Sequence, residues 1–172
     1  MATEILRPNA DGDVIQCSPI PGEGESNWED VDEVVADDGD TLVNSGTSAL
    51  LDLYNLPVHS GSGTINKITV HARILTGNPE FDYGRIAIKT GGTIYYSGNL
   101  ITDLFAWENK SFEWTTNPQT TVAWTWDNID ALQIGIELTG TAEAGQCTQL
   151  YVEVEYTETG MGSLLSQKLP FA

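Results

Sequence analysis

The sequence predicts an all-β protein, an antiparallel β-sandwich of jelly-roll type with one short helix. Turn residues recur about every 8–12 positions, which is the spacing of short strands in a sandwich. The 17 glycines in 172 residues suit tight turns between such strands. The chain has no alternation of strands and helices, so a parallel sheet is not expected.

Two segments carry the strongest strand signal. In residues 64–75, isoleucine, valine and alanine alternate with polar residues, as in a strand with one face on the core and the other in water. Asn66 and Lys67 interrupt that period and predict a β-bulge. Residues 150–156 alternate in the same way, with glutamates on the wet face.

Shorter segments complete the predicted sandwich. Strands are expected at residues 3–7, 14–17, 31–35, 49–56, 84–89 and 93–96, and around Phe112 and Trp114. Gly91 and Gly92 join two of them in a tight hairpin, because glycine accepts the positive φ angles of such turns. Residues 9–13, NADGD, are predicted to form a turn.

The helix is predicted after Pro118, which ends the preceding strand because proline has no N–H to donate. Thr125 is the predicted N-cap, and Ile129 and Leu132 share one face of the turn that follows. From Ile134 onwards the apolar period changes to two, so a strand follows the helix directly.

The acidity of the chain limits its partners. The formal net charge is −18, from 25 acidic and 7 basic residues. Nucleic acid and anionic membranes are not expected as partners, because both are bound through basic surfaces. The charge indicates a well-solvated surface, with adaptation to high salt or a load of cations as alternatives. The N-terminus lacks the regions of a signal peptide and no long apolar run is present, so we expect synthesis in a cytoplasm without a membrane span.

Residue types with reactive chemistry form no recognisable pattern. Cys17 and Cys147 lack metal-ligand spacing; a disulfide and two buried free thiols both remain open, and we expect the thiols. His59 and His71 form no zinc motif, and no GxSxG, SxxK or phosphate-binding loop is present. We therefore expect a protein that is not an enzyme.

Two acidic clusters are candidates for calcium. Asn9, Asp11 and Asp13 have the spacing of the first half of an EF-hand loop, but Ile20 stands where the closing glutamate should be. A second set of oxygens is offered by Asp37, Asp38 and Asp40. Turn formation by Asx side chains explains both clusters without a metal, and no other cofactor is expected.

The tryptophans suggest a surface on which sugar rings stack. Trp114 and Trp124 fit the core of the predicted sandwich. Trp107 and Trp126 therefore remain as the candidates for glycan stacking.

The predicted sandwich domain covers residues 1–159. Residues 160–172 form an apolar tail whose composition is not that of a disordered segment, and it is expected to dock on its own domain or on a neighbouring subunit. The candidate assembly contacts are Ile5, Leu6, Leu164, Leu165, Leu169 and Phe171.

Seven motifs, in this order, resemble a group of small β-sandwich proteins and domains of tailed viruses that infect bacteria or archaea. They are LRPNADGD at residues 6–13, DLYNLP at 52–57, GTINKITV at 63–70, IKTGGT at 88–93, WTTNP at 114–118, AWTWDNIDALQIGIEL at 123–138 and CTQLYVEVEYT at 147–157. The resemblance covers most of residues 5–158 and implies a virion component, such as a capsid decoration, turret, fibre or tail part. It implies no catalytic residue, and the acidic balance fits a halophilic host.

Sequence and resemblance together predict a non-enzymatic viral structural protein located in the virion. It would assemble with copies of itself, as a trimer or pentamer, and with other virion proteins. The alternative is a carbohydrate-binding module or a host-receptor-binding virion domain, which an exposed Trp107 or Trp126 would favour.

Overall fold

Two antiparallel sheets face each other, so the predicted β-sandwich is confirmed. Within the described residues, one short α-helix connects a strand of the first sheet to a strand of the second. This computed structural model describes residues 1–20, 26–78, 80, 82–141 and 144–159. The strands are β1 (Ala2–Leu6), β2 (Ala10–Ile15), β3 (Ser18–Ile20), β4 (Leu42–Asn44), β5 (Leu50–Asn55), β6 (Thr64–Leu75), β7 (Gly84–Thr90), β8 (Thr93–Tyr96), β9 (Glu108–Trp114), β10 (Gln133–Leu138) and β11 (Gln146–Thr157). The α-helix is α1 (Trp126–Asp130), and a 3-10 helix covers Asn27–Asp30. Within the described ranges, no helix has the length and apolarity to cross a membrane.

Each sheet has a long central pairing. The first sheet has the order β3–β4–β11–β6–β9, with β1 also paired to β11, and the second has the order β2–β5–β10–β7–β8. The strands β6 and β11, of 12 residues each, pair along their length at the centre of the first sheet. We call the end of the sandwich where β6 ends and β7 begins the Gly84 end. The opposite end, with the β7–β8 hairpin, is the Gly91 end.

The core lies between the sheets and is built by alternate residues of their strands. Ile68 and Val152 face inward from the first sheet and are fully buried. Tyr54, Ile86 and Ile134 are equally buried on the second sheet. Because burial of each aliphatic side chain contributes about 1.5–3 kcal/mol, this alternation fixes which face of each strand points inward.

The clearest strand predictions are confirmed. β6 has the predicted bounds, and its register to β11 shifts between Ile65 and Lys67, so Asn66 is the extra residue of the predicted bulge. Gly91 and Gly92 form the β7–β8 hairpin with φ angles of 54° and 85°.

The predicted helix is confirmed together with its cap. The Thr125 side chain accepts a hydrogen bond from Asn128 N at 3.2 Å. Ile129 and Leu132 are buried in the core, so the short helix carries the chain over the Gly91 end into β10.

The predicted turn at residues 9–13 is wrong, since Ala10–Ile15 forms β2. The register of β2 to β5 is shifted after Asp11. Gly12 lies so close to the main chain of β5 that a Cβ atom would come within 2.5 Å of the Leu53 carbonyl oxygen. The Asp–Gly pair therefore makes a bulge inside a strand and not a turn between strands.

The predicted strand at residues 31–35 is also wrong. Val31 is buried, and its carbonyl accepts a hydrogen bond from Leu150 N at 2.7 Å. Val34 and Val35 are exposed, so these valines do not alternate between two faces. The segment runs along β11 without pairing as a strand.

Both cysteines are free and buried, which matches the expectation of two thiols. Burial raises the pKa of each thiol, that of Cys147 to about 12. Cys17 and Cys147 are therefore protonated at neutral pH and act as small apolar core groups.

Candidate functional site

The segment between β8 and β9 crosses from the second sheet to the first at the Gly84 end. Leu100 exchanges two backbone hydrogen bonds of 2.8 Å with Gly84, which holds the segment against β7. Thr102 is buried and bonds to Thr76 through both its hydroxyl and its backbone N–H. These two anchors fix the position of the exposed residues that follow.

Beyond the anchors, a tight turn presents large apolar side chains to solvent. Ala106 N donates to Asp103 O at 3.0 Å, and Phe105 has a φ angle of 55°. Glycine is favoured at this position of such a turn, because a side chain there costs roughly 1–2 kcal/mol. Phe105 is 57% exposed and Leu104 is 59% exposed. A strained and exposed aromatic residue indicates a role in binding rather than in folding.

A second aromatic ring and polar groups flank Phe105. Trp107 is half-buried and Asp103 is exposed. Glu108 accepts hydrogen bonds from Asp103 N at 2.5 Å and from Lys110 Nζ at 2.7 Å, which ties the turn to the start of β9. The hydrogen bond from Lys110 also lowers the pKa of Glu108, so this carboxylate is ionised at neutral pH. The loop site, as we call it, consists of Ile101, Asp103, Leu104, Phe105 and Trp107.

Trp126, the other predicted stacking residue, is packed into a cluster at the Gly91 end. Its ring stacks on His59 with the centroids 4.6 Å apart, and Tyr156 meets it edge-on at 5.1 Å. Its Nε1 donates to Gly63 O at 2.9 Å. The half-buried ring of Trp126 thus holds the β5–β6 loop against α1 and the end of β11, and its role in glycan stacking stays a prediction.

Two carboxylates complete the cluster around Trp126. Asp130 bonds His59 Nδ1 at 2.7 Å, and this hydrogen bond lowers the pKa of Asp130. Glu4 accepts hydrogen bonds from Ser60 N at 2.7 Å and Gly61 N at 2.9 Å. Burial alone would raise the pKa of Glu4, but these hydrogen bonds outweigh it and lower that pKa. Both carboxylates therefore position the β5–β6 loop.

The predicted calcium ligands are not brought together. Asp13 pairs with Lys89 and Asp38 with Arg73, and each hydrogen bond lowers the pKa of the carboxyl. Asp37 accepts hydrogen bonds from two threonine hydroxyls. In the part of the chain that the structure describes, no three His, Cys, Asp or Glu side chains lie close enough together to hold a metal ion. Protein contacts therefore engage Asp13, Asp37 and Asp38, and calcium binding at Asn9, Asp11, Asp13, Asp37, Asp38 and Asp40 stays a prediction.

The predicted assembly contacts divide into three groups. Ile5 is 53% exposed on the outer face of β1, where it pairs with Glu153 of β11. The prediction for Leu6 is wrong, since this side chain is only 4% exposed and lies in the core beside Val152. The remaining predicted contacts lie outside the described residues: Leu164, Leu165, Leu169 and Phe171.

Of the loop site, the sequence predicts only Trp107, and it does not reveal Ile101, Asp103, Leu104 or Phe105. Residues 100–107, LITDLFAW, contain apolar residues with a period of neither 2 nor 3.6, and this irregularity is the available signal. Trp107 is predicted from its residue type alone. Trp114 and Trp124 are buried, as predicted, and Trp124 Nε1 donates to Trp114 O at 3.0 Å.

No protein-family model matches the sequence, and no curated protein matches it. Among solved structures, the chain is similar to the C-terminal CBM6 of LamC, a marine laminarinase from Zobellia galactanivorans (14% identity, TM-score 0.45, 90% of this chain and 100% of that chain). It is also similar to the CBM35 from Cellvibrio japonicus Abf62 (11% identity, TM-score 0.45, 91% of this chain and 95% of that chain). A third is the carbohydrate binding module CBM6cm-2 from Cellvibrio mixtus lichenase 5A, in complex with cellotriose (10% identity, TM-score 0.47, 91% of this chain and 100% of that chain). Similarity at this level assigns neither a family nor a ligand to the chain.

Proposed function

We propose that this protein is a non-catalytic module that binds glycans at the loop site. The observation that carries the proposal is the exposed ring of Phe105, held at a positive φ angle between Asp103 and Trp107. The fold supplies a rigid frame, and the turn places two aromatic residues and a carboxylate within five consecutive positions.

The chemistry of the loop site matches that of a sugar. A sugar ring has apolar C–H faces and a rim of hydroxyl groups. The rings of Phe105 and Trp107 offer flat apolar surfaces on which the C–H faces can stack. The Asp103 carboxylate can accept hydrogen bonds from the hydroxyl groups. The hydrogen bonds of Leu100 to Gly84 and of Thr102 to Thr76 fix the loop before a ligand binds. Little conformational entropy is therefore lost on binding.

The arrangement of reactive groups favours binding over catalysis. His59 hydrogen-bonds to Asp130, but among the described contacts no hydroxyl or thiol bonds to this histidine. Catalysis by a serine, threonine or cysteine that a histidine activates needs such a contact. The two thiols are buried, and their raised pKa values keep them protonated.

Substitution of Phe105 by glycine tests the proposal, because it separates binding from stability. Phe105→Gly removes the ring and relieves the backbone strain. We expect about tenfold weaker binding to the oligosaccharide that the wild-type protein binds best on a glycan array. The midpoint of thermal unfolding should equal or exceed that of the wild type. Trp107→Ala should weaken the same interaction.

Val122→Ala is the matched control, since Val122 is 59% exposed in a loop at the Gly91 end. It should leave binding unchanged. Wild-type affinity in Phe105→Gly would overturn the assignment of the site, and no binding by the wild-type protein to any glycan would overturn the function.

A second candidate function is self-assembly, which the predicted virion role would require, and one observation is compatible with it. β1 pairs with β11 along one edge, and among the described residues no strand pairs with its other edge. A free edge with the exposed Ile5 can accept a strand from another subunit. Ile5→Glu and deletion of residues 160–172 should each reduce the oligomer mass measured by sedimentation. An unchanged mass in both would exclude this mode of assembly.

A further inference from the structure

Each lysine and arginine in the part of the chain that the structure describes already has a partner. Lys67 contacts Glu113 at 2.6 Å, and Arg85 contacts Glu137 at 2.5 Å. Arg7 donates to a backbone carbonyl and lies over the ring of Tyr151. The other lysine and arginine ion pairs of the described residues join Arg73 to Asp38, Lys89 to Asp13 and Lys110 to Glu108.

The basic side chain next to the loop site also has a carboxylate partner. Lys110 is the nearest basic residue in the sequence, and its ammonium group lies 2.7 Å from Glu108 Oε2. The other oxygen of Glu108 accepts the Asp103 N–H, so this ion pair is part of the framework of the turn. The Asp103 side chain is exposed beside it. The charge that a ligand meets at Phe105 is therefore negative.

Binding of an anionic sugar has the opposite requirement. Carboxylate and sulfate groups are recognised by arginine forks or lysine ammonium groups with free N–H donors. A carboxylate such as Asp103 only accepts hydrogen bonds, and the hydroxyls of an uncharged sugar supply the matching donors. The excess of 25 acidic over 7 basic residues adds long-range repulsion of any anion.

From this distribution of charge we infer that the loop site binds uncharged glycans and rejects carboxylated and sulfated ones. The inference rests on the proposed function and names the ligand class of the same site. The rejection is electrostatic, so it weakens as salt screens the charges.

The experiment compares glycans that share one backbone. The array carries neutral glucans, xylans, mannans and galactans, each beside its carboxymethylated or sulfated derivative. At about 20 mM NaCl we expect the anionic derivative of the best neutral ligand to bind about tenfold more weakly than the neutral ligand itself. This difference in affinity, which we call the affinity gap, should narrow at about 500 mM NaCl. Binding of the neutral ligand should hardly change with salt.

A charge reversal tests whether the effect is local. Asp103→Lys should reduce the difference in affinity between the neutral glycan and its anionic derivative at low salt. Glu158→Lys makes the same change of net charge on an exposed residue at the Gly91 end, and it should leave most of the gap in place.

The outcomes distinguish the proposed glycan site from the inference that its ligand is uncharged. If an anionic derivative binds as well as its parent, and Phe105→Gly abolishes both, the loop site stands and the inference of an uncharged ligand is overturned. If no glycan binds at all, the proposed function and the inference are both overturned. If Glu158→Lys narrows the gap as much as Asp103→Lys, the local part of the argument is wrong.

Discussion

Asp52 is a buried residue whose carboxylate holds three segments together. Its Oδ1 accepts hydrogen bonds from Gln16 N at 2.6 Å and Cys17 N at 2.8 Å. Its Oδ2 accepts from Asn27 Nδ2 at 2.7 Å and from the Tyr54 hydroxyl at 2.9 Å. A buried carboxyl group that accepts four hydrogen bonds fixes the path of the chain from β2 to the 3-10 helix.

Asp52→Asn should destabilise the protein strongly. An amide turns one acceptor into a donor, so two of the four hydrogen bonds to this side chain are lost or rearranged, at a cost of roughly 2–4 kcal/mol. Urea unfolding would measure this, with an unchanged m value showing that the native and unfolded states are otherwise the same. Glu158→Gln, at an exposed position, should change stability by less than about 0.5 kcal/mol. A similarly small effect for Asp52→Asn would contradict the role given to this carboxylate.

Glu33 is a half-buried carboxyl group with fewer hydrogen-bond partners than Asp52. Burial raises its pKa, only partly offset by the hydrogen bond from Thr41, and among the described residues its Oε2 is buried without a hydrogen-bond partner. A carboxyl with a raised folded-state pKa stabilises the fold below its unfolded value of 4.5, and this stability is lost as the pH rises through the folded value.

Glu33→Gln should therefore raise the melting temperature at pH 7 by more than at pH 4. Thermal unfolding of both proteins across this range measures the difference. An equal effect at both pH values, or a loss of stability at pH 7, would show that Glu33 is not under strain.

Single residues also show where sequence reasoning stops. The backbone angle of Phe105 is set by the anchors Leu100 and Thr102, which bond to strands far away in the sequence. No local pattern predicts such a contact. Leu6 is misassigned for a related reason. The alternation in β1 is too short to show which face of the strand packs on the core when β1 pairs with β11.

The elements that the sequence predicts best are those with the longest regular period. β6 and β11 have 12 residues each, and alternation along most of β6 and over residues 150–156 of β11 predicts both strands, their buried faces and the bulge at Asn66. β2 escapes prediction because its bulge packs Gly12 against β5, which makes a strand resemble a turn. At the functional site, the sequence predicts Trp107 but not the geometry that presents its neighbours.

The cap of α1 allows a test at the level of this element. The helix has 5 residues, so propensity cannot stabilise it, and the Thr125 side chain takes up one of its free N–H groups. Thr125→Ala should cost about 1 kcal/mol in the free energy of unfolding. Thr120→Ala, in the exposed loop before the helix, is the control. A loss of equal size in both would show that the cap contributes nothing specific.

The net charge of −18 acts on the molecule as a whole. Repulsion between uncompensated carboxylates opposes the compact state, and it is screened as the Debye length falls from about 30 Å at 0.01 M salt to about 8 Å at 0.15 M. The melting temperature should therefore rise with NaCl, most steeply below about 0.15 M. A variant with Asp40→Asn, Asp127→Asn and Glu158→Gln should show a shallower rise. A melting temperature that falls with salt would mean that the ion pairs outweigh the general repulsion.

Backbone amide NMR spectra test most directly whether a glycan binds at the Gly84 end through the loop site. The spectra are recorded while the uncharged oligosaccharide ranked first on the array is added. We expect the largest changes of chemical shift in residues 101–110, and we expect these changes to disappear in Phe105→Gly. Changes centred on the cluster around Trp126, or no changes up to about 1 mM ligand, would contradict binding at the loop site.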